Sequence, residues 1–305
     1  MKRIPGRGRI RYDRLPTERA DPRGRDLDRL TAAGIARLMN RADRAVVKAV
    51  GGAVPALGRA VDLVVSALAT GGRLIFVGAG TSGRLGVLEA AECPPTFNTT
   101  PSLVQAVMAG GRRSVFRSAE GAEDDAADGA RQIRRRVRRG DAVVGVAASG
   151  VTPFVRAALA EARRLGAVTV LVTCNPAAGR GAARVTIALP VGPEVLAGST
   201  RLKAGTATKL ALNTLTTASF ARLGKVYGNR MVDLQPASAK LRARAIRLVR
   251  EIGGVSERRA SRLLAAAGDQ PKLAIVMARL HVTPDQARRR LRTESGSLRR
   301  ALGPG

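Results

Sequence analysis

Two kinds of residue in this sequence could do chemistry: hydroxyls grouped at glycine turns, and a small set of carboxylates. In Arg73-Leu-Ile-Phe-Val-Gly-Ala-Gly-Thr-Ser-Gly-Arg-Leu-Gly86 an apolar strand runs into a glycine turn that carries Thr81 and Ser82. Gly78, Gly80 and Gly83 allow backbone conformations closed to other residues, so main-chain N–H groups and two hydroxyls can point at an anion beside a helix N-terminus. A second strand, Asp141-Ala-Val-Val-Gly-Val-Ala147, runs into Ala148-Ser-Gly-Val-Thr-Pro153 and repeats the device. There Ser149 and Thr152 are the donors, Gly150 admits the backbone, and Pro153 suits a first helical position. Two such turns can converge on one phosphate of a small substrate. A tight strand-to-helix connection without a ligand is the alternative for either turn alone. The G-x-G-x-x-G spacing also fits a dinucleotide site, but that site wants an acid about 20 residues on for the ribose. None stands between Glu92 and Glu120. A third segment, Val191 to Thr206, precedes a long helix reaching about Leu223. Ser199 and Thr200 are expected to cap it, with Arg201 and Lys203 as cations beside donors that favour an anion. A capped helix with a solvated basic first turn fits the same spacing.

The carboxylates concentrate at Glu89, Glu92, Glu120, Glu123, Asp124 and Asp125. Glu92 stands before Cys93-Pro94-Pro95, where proline predicts the end of a helix. The partial negative charge of such an end would favour a protonated carboxyl, which a general acid requires. Glu123, in Ala119-Glu-Gly-Ala-Glu-Asp-Asp125, also reads as an acidic first turn for the helix through Arg131 to Arg139. Glu92 follows the glycine turn by about nine residues, or ~13 Å along a straight helix. A small phosphorylated substrate is shorter than that. The site is therefore expected to be shared between the subunits of a homodimer, or the helix to be short and followed by a returning loop. His281 is the only histidine, so neither a histidine-rich metal site nor a Ser-His nucleophile is expected. A surface or capping role suits it.

These residues need a scaffold, and the chain supplies one with alternating periodicities. Short apolar strands at Leu74–Val77, Leu103–Met108, Ala142–Ala147, Thr169–Thr173 and Val185–Leu189 alternate with helices. That predicts an α/β fold with a parallel sheet and its ligands at the strands' carboxyl ends. Before it, helices are expected over Asp26–Asn40, after a break at Asn40 and Asp43, and over Pro55–Ala69. After it, residues 241–302 read as short amphipathic helices punctuated by Gly253-Gly254, Gly268 and Thr283-Pro284. The organisation is residues 1–54 as a basic arm with helices, 55–240 as the α/β domain, and 241–305 as a small helical domain. The chain of 305 residues is 45% hydrophobic, enough for a real core. Its net charge of +30 would attract nucleic acid, anionic membrane or phosphorylated metabolites. Aromatics are 2% with no Trp, and the arginines spread over the whole chain, so the excess reads as a solvated surface with no specific nucleic-acid partner. Two cysteines imply no disulfide framework. No apolar run reaches spanning length and residues 1–26 lack a signal peptide's apolar core, so a cytoplasmic protein without a membrane partner is expected.

The joint motif set is specific. Gly78-Ala-Gly-Thr-Ser-Gly-Arg-Leu-Gly86, Glu92-Cys-Pro-Pro-Thr96, Glu120-Gly-Ala-Glu-Asp124, Ala147-Ala-Ser-Gly150, Cys174-Asn-Pro176, Gly198-Ser-Thr-Arg201, Lys203-Ala-Gly-Thr206 and Gly224-Lys-Val-Tyr227 resemble the N-acetylmuramic acid 6-phosphate etherases. The resemblance runs from about Leu15 to Leu302 and takes in Leu15-Pro-Thr-Glu18 and Leu38-Met-Asn40. It implies a sugar isomerase (SIS) domain and cleavage of the substrate's D-lactyl ether, giving N-acetylglucosamine 6-phosphate and D-lactate in cell-wall recycling. The resemblance implies no metal or organic cofactor. An ether at C3 lies β to the C1 aldehyde of the ring-opened sugar. A base that removes the C2 proton, an acid that protonates the departing oxygen, and water added at C3 complete the reaction. By resemblance Glu92 matches the proton donor and Glu123 the second catalytic acid residue, here the C2 base. Gly80, Thr81, Ser82, Ser149, Gly150 and Thr152 then serve the phosphate, with Ser199, Arg201 and Lys203 as supports. Where the family usually has Arg this chain has Val151, and Lys272 is a candidate to compensate. A sugar-phosphate isomerase, or a sugar-phosphate-binding regulator with two SIS domains, is the alternative reading.

Overall fold

The computed structural model describes residues 15–179 and 181–303; of the expected basic arm, residues 1–14 lie outside the described residues. Helix α1, Ala32–Gly52, begins at Thr31, whose hydroxyl accepts the Gly34 N–H. It runs straight through Asn40 and Asp43, contrary to the expected break. Leu38, Ala42, Val46 and Ala49 form one unbroken buried stripe at helical spacing, and that stripe outweighs two polar residues on the other faces. The break falls instead at Ala53, before α2, Val54–Ala69, which carries Pro55 in its first turn.

Five parallel strands follow: β1 Leu74–Gly78, β2 Val104–Met108, β3 Ala142–Val146, β4 Val168–Thr173 and β5 Val185–Ala188, in the order β2-β1-β3-β4-β5. Both faces are covered, so the central strands β1, β3 and β4 are buried almost throughout and apolar save for Thr169 and Thr173 of β4. Leu74, Phe76, Val144 and Val172 face a core made with α2 and with α7, Lys203–Arg222. Ile75, Val77, Val143 and Leu171 face the opposite core, closed by α5, Ala126–Arg134, and α6, Pro153–Arg164. At the amino ends of the strands Asp141, fully buried, accepts from Arg73 and from the backbone N–H groups of Arg73 and Arg138.

Helix α3, Gly80–Phe97, packs closely on β1 because glycines meet glycines. A Cβ on Gly83 would stand 2.3 Å from Met108 Sδ and 2.6 Å from the Gly78 carbonyl oxygen; one on Gly86 would stand 2.9 Å from Phe76 Cβ. Between β2 and α5 lies the short α4, Arg113–Phe116. A two-residue hairpin, β6 Val226–Tyr227 and β7 Arg230–Met231, leads to a separate core. This core centres on α10, Pro271–Leu280, nearly all of it buried, surrounded by α8 Ala239–Gly253, α9 Glu257–Ala266, α11 Pro284–Thr293 and α12 Leu298–Leu302. Thr283 and Gln286 close a capping box on α11, and the exposed His281 ends α10 in the left-handed region. Among the described residues no single helix is long and apolar enough to cross a membrane.

The α3 contact makes a paired expectation. Gly83→Ala should destabilise the fold by about 1–3 kcal/mol through overpacking against backbone. Gly58→Ala, exposed in α2 with no atom within 4 Å of the added Cβ, should stabilise it by about 0.5–1 kcal/mol. Urea unfolding of the two variants reads both signs.

Candidate active site

The two glycine turns lie side by side because β1 and β3 are neighbours in register, Gly78 against Val146. Between them a cavity of about 480 Å³ opens at the carboxyl ends of the strands, lined by Gly80, Thr81, Ser82, Ser149, Thr152 and Glu123 together with Glu18, Asp124, Gly198 and Thr200. Gly80 takes a φ of 53° at the start of α3. Neither α3 nor α6 has a side chain capping its first N–H groups. Two uncapped helix N-termini therefore aim partial positive charge at one space, which suits a dianion.

A brace behind the second turn holds it in place. Thr173 Oγ1 donates to the Ala148 carbonyl oxygen at 3.2 Å, and Asn175 Nδ2 donates to that of Ser149 at 3.1 Å. Gly150, with a φ of 73°, has no room for a Cβ, which would stand 2.7 Å from Thr173 Oγ1. The Phe154 N–H at the start of α6 donates to the Glu123 carbonyl oxygen at 3.0 Å. That bond brings the acidic loop to the hydroxyl turns.

No Lys or Arg lines this cavity among the described residues, although the chain carries a net +30. The expected cationic supports are elsewhere. Lys203 is 1% exposed and its Nζ donates to the Pro193 carbonyl oxygen at 2.6 Å, so it faces the interior and not the cavity. Ser199 and Thr200 do not cap α7. The buried carboxylate of Glu194 does, accepting the N–H groups of Lys203 at 3.1 Å and Ala204 at 2.8 Å. Burial pushes Glu194 above its ordinary pKa, and those two bonds oppose it. Ser199 sits in the turn closed by its own N–H on the Leu196 carbonyl oxygen, and Arg201 is exposed; neither lines the cavity. Lys272 lies in the C-terminal core, donating to Asp233 at 2.6 Å and to the carbonyl oxygens of Gly296 at 2.8 Å and Gly224 at 3.1 Å. All three of its protons are used, so it does not replace the cation missing at Val151.

Glu92 is not in this cavity either. Helix α3 continues through Pro94 and Pro95 to Phe97 and ends at Asn98, φ 52°, one turn later than the prolines predict. Its last turn is pinned by Phe97, stacked on Phe220 with centroids 4.7 Å apart, and by buried Cys93. Glu92 thus stands inside the helix, away from its terminal charge. The helix is one unbroken element of 18 residues, with no returning loop before Glu92, and Glu92 lies ~18 Å along it from Gly80. There it lines a second cavity, about 390 Å³, with Glu89, Cys93, Lys209, Asn213 and Thr216. Glu89 is buried and accepts from the Thr216 hydroxyl. Burial drives its pKa up more than Thr216 and Lys209 pull it down. In the single chain both Glu92 and Glu123 are exposed.

Local spacing did not flag Glu18 or Asn175 for a role. Glu18 arrives from the N-terminal segment through a 3₁₀ turn, Pro16–Glu18, and Asn175 works through backbone groups of another strand. No group of three or more His, Cys, Asp or Glu residues that could hold a metal ion occurs among the described residues.

The profile of the glucokinase regulatory protein N-terminal SIS domain matches residues 56–163. An N-acetylmuramic acid 6-phosphate etherase of Symbiobacterium thermophilum is 52% identical over 268 residues, covering 88% of this chain and 89% of that one. The enzyme of the same name from Synechocystis sp. is 47% identical over 290 residues, covering 94% and 95%. Among solved structures, a phosphoheptose isomerase from Francisella tularensis is similar with a TM-score of 0.49 and 16% identity, covering 64% of this chain and 98% of that one.

Two stability measurements test the placements. Lys272→Met should cost about 3 kcal/mol, because it strands buried acceptors and an acid, while the folded variant keeps the glycine-turn cavity. Glu89 holds its proton more tightly folded than unfolded, so its contribution is complete below the ordinary pKa of 4.5 and is lost as pH rises through the raised value. In Glu89→Gln that part of the fall in stability with rising pH should vanish from urea unfolding curves.

Proposed function

The chain belongs to the N-acetylmuramic acid 6-phosphate etherases, and from that premise we propose that its active site is completed by two copies of the chain, Glu123 of one and Glu92 of the other. The protein is a lyase with a SIS domain that cleaves the D-lactyl ether of N-acetylmuramic acid 6-phosphate, giving N-acetylglucosamine 6-phosphate and D-lactate. The observation that carries the proposal is the separation of the two carboxylates into different cavities of one chain, with the unbroken helix α3 running from one cavity to the other. A single hexose phosphate does not bridge ~18 Å.

In this reading the 6-phosphate sits among Thr81, Ser82, Ser149 and Thr152, neutralised by backbone dipoles and hydroxyls. Glu123, at the rim of the same cavity, takes the C2 proton of the ring-opened sugar. The electron pair left at C2 is delocalised into the C1 carbonyl, and the C3–O bond then breaks. Glu92 gives its proton to the departing lactyl oxygen as that bond opens. Water adds at C3 of the unsaturated aldehyde, with a carboxylate taking the water's proton and C2 regaining one. No cofactor enters these steps. A phosphorylated amino sugar is met inside the cell, so the proposal carries a cytoplasmic homodimer with it.

Glu92→Gln and Glu123→Gln should each lose most activity, by about 10²–10⁴-fold, while still binding sugar phosphate. Mixing and re-associating the two inactive variants should restore about a quarter of wild-type lactate release, since half the dimers are mixed and each mixed dimer has one intact site. Full additivity without any recovery would show that each chain uses its own pair.

A further inference from the structure

Lys209 is the cation that shares a cavity with Glu92. It stands half-buried on α7, and its Nζ donates to Asn213 Oδ1 at 2.9 Å. Among the described residues no carboxylate comes within ion-pairing distance of it. The titratable groups that share the cavity do not supply one. Burial pushes Glu89 toward its neutral form and the Cys93 thiol up to about 12. Apart from Glu92, the remaining polar groups that line the cavity are uncharged: Thr96 from α3, and Asn213, Thr216 and Thr217 from α7. A partly desolvated ammonium held by an amide and in direct contact with no carboxylate among the described residues is costly, and the cost falls when an anion binds to it.

The substrate brings two anions. Its phosphate fits the other cavity, with its uncapped helix ends and hydroxyls. Its second anion is the lactyl carboxylate, attached to the very carbon that carries the ether oxygen. A proton donor that reaches this oxygen places the carboxylate within a few bonds' length of the donor's own neighbours. Lysine suits a single compact contact of this kind better than the planar guanidinium fork does, and lysines are few in this arginine-dominated sequence.

We propose that Lys209, oriented by Asn213, binds the carboxylate of the substrate's lactyl group; the assignment rests on Glu92 as the proton donor. The ammonium selects the sugar phosphate that bears a lactyl group and holds the lactyl arm so that its ether oxygen meets Glu92. The same contact retains D-lactate after cleavage until the product leaves.

The test compares Lys209→Met and Lys209→Gln with wild type on N-acetylmuramic acid 6-phosphate and on its analogue with the lactyl carboxylate converted to carboxamide. Gln keeps a donor for Asn213 and guards against misfolding of the Met variant. On the natural substrate kcat/KM should fall on the order of 100-fold, the size of a lost hydrogen bond to a charged group. Wild type should lose a similar factor on the carboxamide, and the variants should lose little more, because the two changes remove one interaction. Inhibition by D-lactate should weaken in both variants. Solvent deuterium uptake at C2 of N-acetylglucosamine 6-phosphate, which has no lactyl group, should be unchanged. Equal losses on acid and amide, or wild-type kcat/KM in a folded Lys209→Gln, would overturn the assignment and leave Glu92 and Glu123 standing. Normal lactate release by Glu92→Gln would remove the donor and this assignment together.

Discussion

Everything at the site follows from how closely α3 lies on β1. Gly83 rests against Gly78 and Gly86 against Phe76, each at a distance that excludes a side chain. That approach seats the helix N-terminus at the sheet's carboxyl edge, where its free N–H groups meet those of the neighbouring turn on β3. It also fixes the helix direction. With the first turn anchored and the last pinned by the Phe97–Phe220 stack, no freedom remains to fold Glu92 back toward the phosphate turns. One packing contact thus builds the proposed anion site and separates it from the candidate acid. The glycines first read as a cradle for an anion serve the helix–strand interface at least as much; among them Gly80 alone has the positive φ that the turn itself requires.

Much of this was legible in the sequence because it is local. Five apolar runs with turn signals gave five parallel strands, and two hydroxyl turns at strand ends predicted where a cavity would open. What was not legible depends on contacts between distant residues. The tandem Pro94-Pro95 signals a helix end, yet buried Cys93 and Phe97 hold a further turn beyond it. Lys203 and Lys272 stand where motif position suggests a ligand, and each instead satisfies backbone carbonyl oxygens that the fold leaves unpaired. Glu194 replaces Ser199 and Thr200 as the cap of α7 from a site several residues earlier. The Asn40–Asp43 break failed for a related reason: a helix is decided by the stripe that is buried, and that stripe was continuous.

The acids show the same logic of environment over identity. Glu89 and Glu92 are one turn apart on one helix, but the first is buried against Thr216 and the second is exposed in the single chain. Glu123 reaches its cavity because a backbone bond from α6 draws its loop in. Chemistry assigned to such residues is a property of the elements that deliver them.

The cavity without cations has a consequence for the rest of the surface. Recognition of a phosphate by fixed backbone dipoles and hydroxyls does not draw on the chain's arginines, so the two kinds of positive potential are independent. Long-range attraction from a surface at net +30 is screened within about 8–10 Å at ordinary ionic strength, whereas short bonds inside a turn are not. The exterior is therefore free to drift in composition under whatever shapes the proteome as a whole. The proposed sugar phosphate site, written in glycines and hydroxyls, stays insulated from that drift.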